Sequence, residues 1–295
     1  MLVVAMGTED EALSQVKGLL RRYKLRPQKR LGQHFLVDEG VLESIMTAAE
    51  PAPDDVVIEV GPGLGILTGR LAATVARVVA VELDMRLVKA LREELADSSN
   101  IEFVQGDILQ VAPERLAGQY LASAGSGRSY KVVANFPYYI TSPLLRHFLQ
   151  AALKPSLMVV MVQKEVGEAI AAAAGKLSLL AVGIQFYSKP SIVGYVPARC
   201  FHPPPKVDSV VLRLDVYDRP AVDVPDVDGF FEMVTCGFRS PRKQLRNSLA
   251  QALGMPPAQI TTVLAEAGID AKRRAETLSL EEWKGLSEAF TPLRE

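Results

Sequence analysis

The sequence predicts an α/β protein: a doubly wound, mostly parallel sheet with an antiparallel terminal hairpin, followed by a small C-terminal helical domain. Three observations predict it. Short, nearly continuous apolar runs alternate with stretches of helical periodicity between residues 55 and 162, the pattern of strands buried on both faces of a parallel sheet. A glycine-rich turn closes the first of these runs, where doubly wound folds bind ligands. Beyond residue 189 the pattern changes to extended segments broken by prolines, and beyond an Asp- and Pro-rich stretch at 217–225 it is helical to the end.

Taken in order, residues 1–24 form a helical lead-in, with Leu13, Val16, Leu19 and Leu20 at helical spacing. Asp38 is placed to cap a helix through Val41, Leu42, Ile45 and Met46. Val56–Val60 reads as the first strand, ending at Gly61, and residues 66–74 as a helix. A second strand spans Val78–Glu82, and Leu87, Val88 and Leu91 share one face of the helix that follows over 85–95. Ile101–Gln105, Lys131–Phe136 and Leu157–Val162 are the third, fourth and fifth strands. The Gly/Ser-rich Ser123–Gly127 is expected as a flexible loop. Residues 191–196 and 210–216 read as the hairpin, and 230–238, 243–253, 257–267 and 280–290 as helices. The expected domains are 1–24, 25–217 and 218–295.

Composition narrows the class. With 295 residues, 48% apolar and 23% charged, the chain matches ordinary globular proteins. A net charge of −1 means that any nucleic-acid contact must use local patches. Two stand out: Lys17, Arg21, Arg22, Lys24, Arg26, Lys29 and Arg30, and then Arg239, Arg242, Lys243 and Arg246. Either patch also reads as a solvated helix face. Cys200 and Cys236 lie far apart without zinc or redox spacing, so no metal site is expected and a reducing cytoplasm suits the chain. The N-terminus lacks the pattern of a signal peptide, and Leu157–Val162 is far too short to span a bilayer, so no membrane segment is expected.

The turn Glu59-Val60-Gly61-Pro62-Gly63-Leu64-Gly65 is a Gly-x-Gly-x-Gly pattern. A dinucleotide fingerprint requires its third glycine at position 66, which is Ile66. The pattern present is typical of S-adenosylmethionine-dependent methyltransferases, with Gly61 and Gly63 allowing close backbone approach to the cofactor. Glu82 ends the second strand at the spacing of a carboxylate that accepts from ribose hydroxyls, although an N-terminal helix acid is the alternative, a job Asp84 fits better. Asp107 ends the third strand, placed either to accept from the cofactor's adenine amino group or simply to cap Ile108-Leu109.

Asn135-Phe136-Pro137-Tyr138 ends the fourth strand. It reads equally as a turn and as a clamp for a flat, amino-bearing base. In the clamp, Asn135 accepts from an exocyclic amine, a carbonyl near Pro137 is the second acceptor, and Tyr138 stacks on the ring.

Further segments carry a family resemblance: Leu31-Gly32-Gln33-His34-Phe35-Leu36, Phe201-His202-Pro203-Pro204-Pro205-Lys206-Val207-Asp208-Ser209-Val210-Val211 and Arg242-Lys243-Gln244-Leu245-Arg246-Asn247. With the motifs above, the chain resembles the small-subunit (16S) ribosomal RNA adenine dimethyltransferase family from about residue 24 onward. It departs at Phe136, where the family usually has Leu or Ile, and at His34, often Asn.

The resemblance implies a Rossmann-like methyltransferase domain and a helical RNA-binding domain. It implies dimethylation at N6 of two adjacent adenosines in the 3′-terminal hairpin loop of 16S rRNA. The cofactor would be S-adenosylmethionine, and the enzyme a cytoplasmic monomer acting on the small ribosomal subunit or its precursor. Asn135, Pro137, Tyr138 and Phe201 would hold the target base, with Phe201 closing the face opposite Tyr138. Gln33, His34, Leu36, Gly61, Gly63, Glu82, Asp107 and Asn135 would bind the cofactor. Arg22, Lys24, Lys29, Arg30, Arg239, Arg242, Lys243 and Arg246 would contact RNA phosphates. Two other readings remain: a resistance-type 23S rRNA adenine dimethyltransferase, and a non-catalytic nucleic-acid-binding relative.

Overall fold

The structure, a computed structural model, describes residues 9–122 and 129–290. Helix α1 (Glu9–Arg22), strand β1 (Phe35–Leu36) and helix α2 (Glu39–Ala49) precede the alternating region. That region runs β2 (Val56–Val60), α3 (Ile66–Ala72), β3 (Arg77–Glu82), α4 (Met85–Glu94), β4 (Ile101–Gln105), α5 (Pro113–Ala122), β5 (Lys131–Asn135), α6 (Thr141–Leu149) and β6 (Leu157–Gln163). Then follow α7 (Lys164–Ile170), α8 (Leu179–Gln185), β7 (Ser188–Val196), β8 (Phe201–His202) and β9 (Ser209–Val216). Helices α9 (Val227–Phe238), α10 (Leu245–Leu253), α11 (Pro257–Glu266) and α12 (Leu280–Phe290) complete the described chain.

Seven strands form one sheet in the order β4-β3-β2-β5-β6-β9-β7. Strands β4, β3, β2, β5 and β6 are mutually parallel, and β9 runs antiparallel to β6. The chain winds outward from β2 through β3 to β4, then returns to β5 on the other side of β2. That reversal opens a crevice at the carboxyl ends of β2 and β5, the place where doubly wound sheets bind ligands. All of Val56–Val60 is buried, as are residues 157–162 of β6, so their apolar character runs on without alternation. The edge strand β4 is only half-buried.

Capping follows the expected chemistry. The Asp38 carboxylate accepts from Val41 N at 2.9 Å and starts α2, and Asp84 caps α4. Helix α1 is amphipathic and buries Val16 and Leu20 against Phe35, Val37, Leu64 and Leu87. The sheet faces carry a core that includes Leu42, Ile45, Val57, Leu71, Val78, Val133, Val159, Met161 and Phe201.

The chain divides into two compact units, Met1–Gly167 with Ser191–Val216, and Glu168–Pro190 with Tyr217–Glu295. In the second, Phe186, Phe230, Leu245, Leu249, Ile260, Leu264, Trp283 and Leu286 form a separate helical core. Residues 168–190, placed in the first domain by sequence, belong to this second unit because α8 buries Ala181, Val182 and Phe186 in its core. The hairpin expectation also needs adjustment: β9 and β7 are neighbours in the sheet, but β8 interrupts their connection and pairs with β1 instead. Residues 1–8 of the lead-in and the Gly/Ser-rich 123–127 lie outside the described residues. Among the described residues, no helix is long and apolar enough to cross a membrane.

Candidate active site: a cleft at the strand ends

A cleft of about 910 Å³ opens at the carboxyl ends of β2, β3, β4 and β5. It is a size that accommodates a nucleoside-like ligand. Its floor is the turn after β2. Gly61, Gly63 and Gly65 have φ of 67°, 61° and 84°, values that side-chain-bearing residues rarely adopt. Gly61 N donates to Val81 O at 2.9 Å, locking the turn to β3. A Cβ on Gly63 would lie 3.1 Å from the Phe35 ring, so the backbone at this turn leaves room only for glycine.

Carboxylates stand at the next two strand ends. Glu82 is 7% exposed and accepts from Asp84 N at 2.9 Å. Burial raises its pKa, while N–H groups of Asp84, Gly63 and Leu83 favour the anion. The alternative role considered for Glu82, capping α4, is filled by Asp84, whose side chain accepts from Arg86 N. Asp107 accepts from Leu109 N at 3.0 Å and also lines the cleft, so capping and ligand contact are compatible there.

A strap of residues 28–34 covers one side of the cleft. The Asp84 carboxylate ties it down, accepting from Gln28 Nε2 at 2.7 Å and Gln33 Nε2 at 3.2 Å while pairing with Arg86. Chiefly through the Arg86 hydrogen bond, the Asp84 pKa is held well below the usual carboxylate range.

The end of β5 supplies the opposite wall. Asn135 Nδ2 donates to His34 O at 3.1 Å, which turns Oδ1 the other way; Asn135 lines the cleft. The Phe136 ring is 1% exposed, and its N–H donates to Met161 O at 3.1 Å. Pro137 O already accepts from Ile140 N, so of the two carbonyls in the Phe136-Pro137 segment only that of Phe136 accepts no bond from the described residues. The Tyr138 hydroxyl shares a 2.5 Å hydrogen bond with Ser209 Oγ, and burial raises its pKa.

The structure thus brings together Gln33, His34, Gly61, Gly63, Glu82, Asp107, Asn135, Pro137 and Tyr138 around one cleft. Leu36 lines a smaller neighbouring cavity with Glu59 and Asn135. Phe201 lines neither: it pairs with Leu36 across β8 and β1, 3% exposed in the sheet core. The base-closing role expected of it therefore has no surface on the cleft.

Of the basic residues, Lys24, Lys29, Arg239, Arg242 and Lys243 are exposed. Arg22 is exposed and paired with Glu94 at 2.7 Å, and Arg30 donates to Gln28. Arg246 is half-buried, with an Nε that has no partner among the described residues.

Sequence reasoning missed Asp84 as the tether of the strap, since nothing links Gln28 to a residue 56 positions away. It also missed Tyr139, 56% exposed on the cleft, although an aromatic adjoining the clamp motif was a usable signal. The carboxylate pair and the glycine cradle fit S-adenosylmethionine, whose ribose and adenine present donors to acceptors and which carries no pyrophosphate to seat.

Comparison with known proteins agrees with this geometry. The family model described as Ribosomal RNA adenine dimethylase matches residues 24–291. A Ribosomal RNA small subunit methyltransferase A of Dehalococcoides mccartyi is 47% identical over 282 residues, 95% of this chain and 94% of that protein. One of the same name from Pelotomaculum thermopropionicum is 44% identical, covering 93% and 95%. Among solved structures, the 23S rRNA methyltransferase ErmE superposes with a TM-score of 0.68 at 29% identity, covering 86% of this chain and 98% of its own. A dimethyladenosine transferase from Plasmodium falciparum shares the fold, with a TM-score of 0.73 at 23% identity over 88% and 98%. A glycine cradle, two strand-end carboxylates and an Asn-x-Pro-Tyr wall, on a chain matched almost end to end, make this protein a member of the ribosomal RNA adenine dimethylase family.

Proposed function

We propose that the protein uses S-adenosylmethionine to dimethylate N6 of two adjacent adenosines in the 3′-terminal hairpin loop of 16S rRNA, acting as a cytoplasmic monomer in small-subunit maturation. The observation that carries this reading is a pair of acceptors, Asn135 Oδ1 and Phe136 O, beside a cleft bearing Glu82 and Asp107. An adenine amino group presents two N–H donors to such a pair. Its lone pair is delocalised into the ring, and accepting both N–H bonds favours a more tetrahedral, electron-rich nitrogen. Bound in the cleft, S-adenosylmethionine supplies an electrophilic methyl group on a sulfonium.

Glu82 and Asp107 would orient the donor through its ribose hydroxyls and adenine amine. Tyr138, held by Ser209, presents its ring to the base, which must leave its stack to reach the cleft. No strong base is required, because the methylated nitrogen is acidic once charged. Catalysis is then chiefly alignment of N6 with the methyl carbon. The exposed Arg239, Arg242 and Lys243 of the second unit, with Lys24, Lys29 and Arg30 of the first, would contact phosphates and set position without reading sequence.

The names of the relatives at 44–47% identity favour the small subunit over the large. The deciding experiment offers labelled S-adenosylmethionine and purified, undermethylated small and large subunits to the protein, with products mapped. Dimethyladenosine in the small-subunit hairpin is expected. Labelling of large-subunit RNA alone would transfer the reading to the resistance-type chemistry, and binding without labelling to a non-catalytic relative.

A further inference from the structure

We propose that the His34 imidazole, not Phe201, is the second wall of the target-base slot, facing Tyr138. The inference rests on the adenosine reading above and assigns the partner surface that the reading lacks. Tyr138 offers one aromatic face, and a flat base held between two faces is positioned far better than one resting on a single ring.

The two rings are already arranged as walls. Their planes differ by 20°, and their centroids are 6.2 Å apart. A base stacked on both sides needs about 7 Å, twice the van der Waals separation of aromatic carbons. The shortfall is below an ångström. Both residues line the cleft that also holds Asn135. Phe201, by contrast, is 3% exposed and packed in the sheet core.

His34 is also fixed in place by its neighbours. Its Nδ1 lies 2.7 Å from Pro203 O, and a carbonyl can only accept, so Nδ1 carries the hydrogen. Swinging the ring out of position breaks that bond. The His34 carbonyl in turn accepts from Asn135 Nδ2 at 3.1 Å. One residue therefore orients the amide that grips the amine and presents a ring parallel to Tyr138. The hydrogen bond to the His34 main chain survives any substitution at this position, so side-chain variants report on the ring alone.

Two variants separate stacking from tethering. His34→Asn keeps a hydrogen-bonding side chain for Pro203 O and removes the ring. His34→Phe keeps a ring and removes the hydrogen bond. Steady-state methyl transfer to undermethylated small subunits would be measured for both, with S-adenosylhomocysteine affinity by calorimetry and folding by thermal melt. His34→Asn is expected to raise KM for the subunit about tenfold, the scale of removing one base–aromatic stack. His34→Phe is expected to stay near the wild-type KM, and S-adenosylhomocysteine should bind both variants as it binds wild type.

The reverse order, with His34→Asn normal and His34→Phe impaired, would make the ring a tether for the Pro203 loop and overturn the wall. Loss of S-adenosylhomocysteine affinity in step with KM would place the ring on the donor instead. Wild-type protein inactive on small subunits would refute the proposed function itself, and the wall with it.

Discussion

Asn135 Nδ2 donates to the carbonyl oxygen of His34 at 3.1 Å, across 101 positions of sequence. Because that carbonyl can only accept, the hydrogen bond decides which way the Asn135 amide points. The nitrogen faces the strap and the oxygen is left to accept from a substrate amine. A turn asparagine would have served its own backbone; this one is oriented by a distant segment that itself lines the cleft.

Replacing Asn135 tests that orientation. Asn135→Ala should lower turnover by about an order of magnitude or more, in line with the loss of one preorganised hydrogen-bonding group. Asn135→Asp should do the same, since a carboxylate oxygen would confront the His34 carbonyl. Calorimetry with S-adenosylhomocysteine should show donor binding nearly intact. Single-turnover rates equal to wild type would remove Asn135 from the chemistry.

The strap depends on Asp84, which accepts from Gln28, Gln33 and Arg86 and caps α4. Asp84→Ala should therefore weaken S-adenosylhomocysteine binding about tenfold, a loss of about 1.4 kcal/mol. It should also cost about 1 kcal/mol of stability, because the cap is gone. Arg86→Ala leaves the cap and strap hydrogen bonds in place and should bind normally. Equal affinity in all three proteins would show that the strap does not need this anchor.

Glu59 makes stability depend on pH in an unusual direction. It is 2% exposed, its Oε2 has no hydrogen-bond partner among the described residues, and burial, with Glu82 nearby, pushes its pKa from 4.5 up to about 8. Between those two values the folded chain holds a proton that the unfolded chain has released. The contribution is thus fully present below pH 4.5 and is lost as pH rises through about 8. The slope within that window is about 1.4 kcal/mol per pH unit. Glu59→Gln, which cannot ionise, should lack this slope, so the wild type should lose stability relative to the variant from about pH 5 to about pH 8 in chemical denaturation. Parallel curves would mean that Glu59 is not held neutral.

The exposed Arg242 and Lys243 follow α9. Changing both to Ala should weaken binding to a small-subunit RNA fragment. It should also reduce the slope of log affinity against log salt by about 1 to 2, roughly one unit for each phosphate no longer neutralised. An unchanged slope would identify the pair as an ordinary solvated surface.

Much of the fold was legible because its signals are local. Val56–Val60 and residues 157–162 are buried on both faces and so read as continuous apolar runs. Asp38 and Asp84 stand where helix N-termini need an acceptor. The pair β1 and β8 was not legible, since two residues carry no period and their pairing joins Phe35 to His202. Residues 168–190 were assigned by chain order, whereas packing of Phe186 against Phe230 places them with the helical unit.

The same division holds at the site. By itself the sequence determined the donor turn, the carboxylates Glu82 and Asp107, and the Asn-x-Pro-Tyr wall, because strand ends and glycine turns are set by neighbouring residues. Only the tertiary structure decided which carbonyl is open beside Asn135, that Asp84 anchors the strap, and that His34 rather than Phe201 faces Tyr138. Those depend on hydrogen bonds and ring packing between segments up to 169 positions apart. Such interactions arise from packing the whole domain, and no local pattern of residues encodes them.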